Sequence, residues 1–346
     1  MFDLSSSWVW DYWFADDGET YHLFFLYASR ALHDPDARHY RASVGHAVSD
    51  DLVTWTPVAD AIVRGEAGSF DDLATWTGST VRGDDGLWYL FYTGSSLAAD
   101  GKNVQRIGCA TSPDLLVWTK APGPLLSASG PWYETLADGG WHDEAFRDPW
   151  VFRDPDGDGW HMLVTARAPE GPAFGRGVIG HGWSPDLKTW ELRPPLSAPS
   201  ERGFGQLEVM QVEVVDGRPV LLFSCLAEHA MPARAVERGG TWAVPAASVL
   251  GPFEVEAASP VTDESLYVGR LLRRRDDGQW LLFAFRNLDE HGAFVGGVTD
   301  PMPVGWVDGR LTVLARAGVA AGVDAASEAG AGTASPHPGG LGTLEA

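Results

Sequence analysis

The stretch DDGLWYLFYTG, residues 84–94, joins an acidic turn to an unbroken run of large apolar and aromatic side chains. An Asp-Gly pair suits a tight turn, because Asp bonds to its own backbone and Gly accepts positive φ, while the aromatics that follow favour extended chain. The unit recurs four more times, as DDGETYHLFFLY at 16–27, PDGDGWHMLVTA at 155–166, VDGRPVLLFSC at 215–225 and DDGQWLLFAFR at 276–286. The first three copies are each followed by a second shared unit: SDDLVTW at 49–55, SPDLLVW at 112–118 and SPDLKTW at 184–190. Looser equivalents follow the last two, VLGPFEV at 249–255 and TDPMPVGW ending at Trp306. An interval of roughly 60 to 70 residues leaves room for about four short strands, the content of one propeller blade.

Nowhere do apolar residues persist at the i, i+3, i+4, i+7 spacing of a long amphipathic helix. The expectation is therefore an all-β fold: a five-bladed β-propeller with four-stranded antiparallel blades over residues 1–316. A pair of β-sandwiches would not explain five similar units. After Leu314 the composition turns to Ala, Gly, Ser and Pro, so 317–346 is expected to form a flexible tail.

Charge narrows the partners. Against 25 Lys and Arg stand 47 Asp and Glu, a net charge of -22, which repels phosphate backbones and anionic lipid. Neither nucleic acid nor a membrane is an expected partner, and oligomeric state is not legible. No run approaches the roughly 18 apolar residues of a spanning helix, and the N-terminus lacks a basic segment with a cleavage site, so a cytoplasmic location is expected. Cys109 and Cys225 lie inside apolar strand-like runs and read as small buried core residues rather than a disulfide. The ten histidines show no zinc spacing. The DPDGDG run at 154–159 resembles a calcium loop in composition, but its place at a turn and the lack of a later Glu favour a plain hairpin. No metal or cofactor is expected.

Because propellers bind ligands on the axis, where the innermost strands converge, the informative residues are those preceding each turn unit. Blade one has WVWDYWF, residues 8–14, with Asp11 among aromatics; blade two has TWTGST with Trp76 and Ser79; blade three has FRDPW with Arg147 and Asp148. Blade four has QLEVMQ with Glu208, and blade five ESLYVG with Glu264 and Tyr267. A lone carboxylate among apolar side chains is costly unless it is used or paired. Carboxylates converging with aromatic platforms suit a small saccharide ligand. Trp10, Trp13, Trp76, Ser79, Arg147 and Tyr267 are the candidate substrate contacts.

The succession of Trp-Asp near the start, Trp-Thr-Gly-Ser-Thr at 76–80, Phe-Arg-Asp-Pro at 146–149 and a later Glu resembles glycoside hydrolase families 32 and 68, whose members are fructan-active five-bladed propellers. FRDPWVF and the SPDLxxW units are closest to family 32, and VWDYW to family 68. The resemblance implies that Asp11 is the nucleophile, Asp148 the transition-state stabiliser, Glu208 the general acid/base and Arg147 a ligand for substrate hydroxyls. Around Asp11 and Glu208 the flanking residues depart from the usual family 32 pattern, and the C-terminal β-sandwich common in that family is not expected here.

The chemistry is consistent with those roles. Cleaving a fructofuranoside passes through an oxocarbenium-like state, so one carboxylate attacks, a second protonates the leaving oxygen and a third holds sugar hydroxyls as charge develops. Glu208 sits between Leu207 and Val209, an apolar setting that suits an acid; Glu201 and Glu213 are the neighbouring alternatives. The expected activity is a retaining β-fructofuranosidase acting on sucrose or a short fructo-oligosaccharide, with transfructosylation as a variant. An inverting arabinofuranosidase or xylosidase of the family 43 type, with carboxyls roughly 6.5 to 9.5 Å apart, is the alternative. A non-catalytic sugar-binding propeller is the third reading. A phosphorylated substrate is less expected with only three lysines.

Overall fold

A computed structural model describes residues 1–234 and 239–315, and the expected tail at 317–346 lies outside the described residues. Five antiparallel sheets follow one another along the chain. Blade I comprises strands Ser7–Asp16, Tyr21–Ser29, Ser43–Ser49 and Thr56–Pro57. Blade II comprises Ala74–Arg82, Trp88–Leu97, Asn103–Ser112 and Thr119–Lys120, with Leu126–Ser127 added beside the third. Blade III has Phe146–Arg153, Trp160–Arg167, Gly177–Ser184 and Glu191–Arg193; blade IV has Glu208–Val215, Arg218–Cys225, Gly240–Pro245 and Ser259–Pro260. Blade V has Leu266–Arg273, Trp280–Arg286, Met302–Val307 and Arg310–Val313. The first strands of the blades meet in the cyclic order I to V and back to I, which is the expected five-bladed propeller. Phe2 closes the ring by pairing with Val298 of blade V in both directions, at 2.9 and 2.8 Å.

The repeated units explain themselves in local geometry. In SDDLVTW, Ser49 Oγ accepts from the Leu52 amide at 2.9 Å, and Asp51 Oδ1 accepts from Val53 and Thr54 at 2.8 and 2.7 Å. Leu52 enters the left-handed region at φ 64°, which swings its side chain into the core, where it is 1 % exposed. Leu115 and Leu187 do the same at 64° and 65°. Trp118 and Trp190 then donate through Nε1 to the carbonyls of Leu115 and Leu187 at 3.0 and 3.1 Å. Each turn thus satisfies its own amides and delivers one leucine and one indole to the packing between blades.

Apolar side chains of adjacent sheets interleave along every seam, for example Phe146, Met162 and Val164 of blade III with Tyr89 and Phe91 of blade II. Leu163 and Ile179 meet Leu207, Phe223 and Trp242 at the III–IV seam, and Leu222 and Ala243 meet Leu282 and Val304 at the IV–V seam. Each such fully buried large side chain contributes about 1.5 to 3 kcal/mol. Cys109 and Cys225 are free and buried, and burial pushes the Cys109 thiol up to about 12, as suits inert core residues. At 154–159 Asp154 closes a hairpin, its amide donating to Gly159 O at 3.0 Å.

The feature that positions the site is shared by all five inner strands: pairing with the second strand slips at a bulge. The slips fall between Trp10 and Tyr12, Trp76 and Gly78, Arg147 and Trp150, Glu208 and Gln211, and Tyr267 and Arg270. A bulge re-aims the side chain it frees, and here the level is the same in every blade. Asp148, Val209 and Val268 take positive φ of 59°, 52° and 52°, conformations that cost of order 1 to 3 kcal/mol each and cluster at functional sites.

Candidate active site

Asp11 lies at the bulge of blade I and keeps partial exposure to the axial mouth. Thr77, at the matching bulge of blade II, donates its hydroxyl to Asp11 Oδ2 across the blade seam. Asp148 is 2 % exposed in blade III. Its amide donates to Thr93 Oγ1 at 2.8 Å, and its Oδ2 accepts from the Val209 amide at 3.2 Å. Thr165 Oγ1 stands 2.9 Å from the same oxygen and 2.8 Å from Leu207 O, so its single proton serves one of them at a time. Glu208, at the start of the blade IV strand, keeps a side chain 20 % exposed.

One guanidinium ties two of these carboxylates together. Arg147 Nη2 donates to Glu208 Oε1 at 2.6 Å, and its Nε lies 3.3 Å from Asp148 Oδ2. Gln105 Oε1 accepts from Nη1 at 3.1 Å, and Gln206 Oε1 also accepts from Nη2. Burial disfavours this charge, yet Asp148, Glu208 and Asp143 outweigh it and hold the guanidinium protonated. On the far side of Glu208 the Tyr267 hydroxyl donates to Oε2. Burial and the Glu208 charge keep that phenol well above its ordinary range, so it remains a donor.

Asp11 feels both partners. Burial first, then the charge of Asp148, raise it to about 7; Glu208 adds to the rise, while the Thr77 hydrogen bond and Arg38 oppose it. Asp148 is likewise raised by burial, with Arg147 opposing. The three carboxylates from blades I, III and IV therefore share one mouth. One is within reach of solvent, one is buried beside a cation, and one is gripped between an arginine and a tyrosine.

The remaining expectations divide. Trp76 stays half-exposed near the mouth, its Nε1 donating to His39 O at 2.6 Å. Trp10, 2 % exposed, stands edge-on to His39 with ring centroids 6.1 Å apart and forms wall rather than platform. Trp13 and Ser79 are corrected to seam residues. Trp13 is fully buried, stacked on Phe24 at 5.7 Å and donating to Thr80 Oγ1 at 2.9 Å; Ser79 Oγ accepts from the Val151 amide at 3.1 Å. Alternation along a flat strand would turn Ser79 and Thr77 to the same face, and the bulge separates them. Glu264 leaves the site altogether, its carboxylate accepting from the Ala227 amide at 2.8 Å. Glu213 sits deeper in blade IV, against Gln211 Nε2 at 3.1 Å, with burial raising it to about 7. Glu201 is exposed.

Several residues at the mouth carried no sequence signal. The short turn Asp36–Arg41 brings in Arg38, its guanidinium 3.8 Å over the Phe294 ring, and His39. His39 Nδ1 lies 3.1 Å from Asp36 O and must be the protonated nitrogen; burial and the Arg38 charge lower the ring to about 4. His39 therefore presents a neutral ring between Trp10 and Trp76. Gln105 lies on no quoted motif, and Gln206 opens the quoted QLEVMQ but was not singled out there. Thr77 lay inside the quoted TWTGST and only the bulge reveals it.

Among known proteins, the chain is 35% identical over 127 residues to fructan 1-exohydrolase of Aegilops tauschii, covering 35% of this chain and 19% of that protein. It is 32% identical over 162 residues to sucrose-6-phosphate hydrolase of Escherichia coli, covering 45% and 28%. The matched stretches thus span less than a third of these relatives. In structure it resembles inulosucrase from Halalkalicoccus jeotgali bound to kestose, with TM-score 0.74 and 23% identity over 90% of this chain and 87% of that one, a likeness of fold. The family model described as the glycosyl hydrolases family 32 N-terminal domain matches residues 14–241. With that match over more than half its length, and with FRDPW and the SPDLxxW turns placed as described, the chain belongs to glycoside hydrolase family 32.

Proposed function

We propose that this protein is a retaining β-fructofuranosidase that removes the terminal fructosyl unit of sucrose or a short fructo-oligosaccharide. The observation that carries the reading is that carboxylates of three blades come together: Arg147 binds both Asp148 and Glu208, and the charges of those two act on Asp11. Asp11 attacks the anomeric carbon of the fructosyl unit while the bond to the leaving oxygen breaks, and Glu208 delivers its proton to that oxygen. Asp148 holds ring hydroxyls as positive charge develops on the sugar. Glu208, now a carboxylate, takes a proton from water, which attacks the same carbon and frees Asp11. A second saccharide taking the place of that water would give transfructosylation from the same intermediate.

An unphosphorylated substrate fits best, because Arg147 is already matched by two carboxylates and Arg38 is held against Phe294 and Trp10 with Asp11 close by. The test is incubation with sucrose, inulin and aryl arabinofuranosides, and identification of the sugar set free. Fructose supports the reading. Arabinose with no fructose transfers the assignment to the inverting alternative.

A further inference from the structure

Arg270 has no role in the reaction as written, yet it occupies the axis beneath it. It follows the bulge of blade V and is 1 % exposed. Its Nη1 donates to Met210 O of blade IV at 2.7 Å, its Nε lies 3.4 Å from Tyr12 O of blade I, and its guanidinium stands 5.0 Å over the Trp150 ring of blade III. Tyr12 follows Asp11, Trp150 comes two residues after Asp148, and Met210 two after Glu208. One side chain therefore touches the chain just beyond each of the three carboxylates. Blade I answers with the Tyr12 hydroxyl, which donates to Val268 O at 3.1 Å. Arg270 Nη2 has no hydrogen-bond partner among the described residues, so the contacts to Met210, Tyr12 and Trp150 are what hold the guanidinium.

We propose that Arg270 is a positioning residue: it staples the bulges that carry Asp11, Asp148 and Glu208 at one level and supplies a fixed positive charge below the two aspartates. The inference rests on the fructosidase reading for its kinetic consequence, but its geometric and electrostatic content does not.

Two physical effects follow. A planar guanidinium with two nitrogens on two carbonyls fixes the spacing of blades I and IV in a way a single ammonium cannot. Burial lowers its own titration to about 10, and the groups that act most strongly back on its charge are Tyr12, Asp148, Asp11 and Glu213. Asp11 in turn faces Asp148, Glu208, Arg38 and the Thr77 hydroxyl. Tyr12 stays a neutral phenol, so removing this buried cation leaves the carboxyls of Asp11 and Asp148 with less positive charge nearby, and protonation of Asp11 becomes easier.

The experiment compares full-length wild type, Arg270→Lys and Arg270→Met. Carboxyl carbon-13 titration of aspartate-labelled protein is read at the Asp11 signal, assigned with Asp11→Asn, beside steady-state kinetics on sucrose and thermal unfolding. In Arg270→Met the Asp11 midpoint is expected to move up by about one pH unit, and kcat to fall about 10- to 100-fold through misplacement, with KM changing less. Arg270→Lys is expected to keep the Asp11 midpoint and still lose kcat, because charge survives and the fork does not. An unmoved Asp11 midpoint in Arg270→Met overturns the electrostatic role, and an unchanged kcat in both variants overturns the positioning role. Should Arg270→Met not fold, Arg270→Lys decides alone: wild-type kcat contradicts the inference, and a loss of kcat in a protein melting near wild type supports it. A wild type that frees no fructose defeats the functional reading but leaves the Asp11 titration as a test of Arg270.

Discussion

Arg147 Nη2 stands 2.6 Å from Glu208 Oε1, a charge-assisted bond between blades III and IV. Because the same guanidinium reaches Asp148 at 3.3 Å, the proposed proton donor and the proposed sugar-binding carboxylate are held by one rigid fork. Arg147→Lys keeps the charge and loses the fork. A fall of about 100-fold in kcat/KM is expected, with a melting temperature within a few degrees of wild type. Kinetics that match wild type would show that the fork does not matter.

On the proposed mechanism, Thr77 tunes the pH dependence through Asp11. The carboxyl sits at about 7, chiefly through burial and then through Asp148, and the Thr77 hydrogen bond holds it down. A nucleophile acts ionised, so kcat/KM is expected to rise with pH through about 7. Thr77→Val removes a bond to the charged form, and the rise is expected to shift upward by about one unit. A profile in which the variant rises at the same pH as wild type contradicts this account.

Tyr267 grips the other oxygen of Glu208. Tyr267→Phe deletes one hydroxyl at a buried position and leaves the ring against Phe285. Since this hydroxyl and Arg147 together fix the orientation of the Glu208 carboxyl, kcat is expected to fall about tenfold. Steady-state rates at saturating sucrose provide the measurement.

Two blades each carry a buried histidine pair with an aspartate close by. His22 Nδ1 meets His46 Nε2 at 2.9 Å in blade I, with Asp17 3.3 Å beyond; His161 Nδ1 meets His181 Nε2 at 2.8 Å in blade III, with Asp154 at 3.1 Å. Burial, and then the neighbouring histidine, lower His46 to about 3 and His181 to about 4. An unfolded chain binds protons at these rings below about 6.5, while the native state refuses them until about 3 or 4, so stability falls as pH drops through that window. Urea unfolding between pH 7 and 4 is expected to show a wild-type loss exceeding that of a His46→Asn, His181→Asn double variant by several kcal/mol, on the order of 6 if both shifts act in full. Equal slopes would remove the histidine pairs from the acid response.

The ring was legible because its repeats are local chemistry: an acidic turn such as 84–86 closes a hairpin, and Ser49, Asp51 and Leu52 make the next turn from their own side chains. That Asp11, Asp148 and Glu208 lie on the first strands of three blades was legible too, whereas their catalytic roles rest on the proposal. The bulges were not. Strict alternation cannot say that Thr77 reaches Asp11 while Ser79 turns to Val151, nor that Trp13 packs on Phe24. Arg38, His39, Gln105 and Arg270 reach the axis only because distant segments close on one another, which no local pattern records.

The most direct measurement is fructose release from sucrose and kestose by wild type and by Asp11→Asn at pH 7.5, with the products identified and the rates compared. Free fructose from wild type and a loss of at least about 1000-fold in the variant is the result this account requires. Fructose set free equally fast by Asp11→Asn, or no fructose from wild type on either sugar, would contradict it.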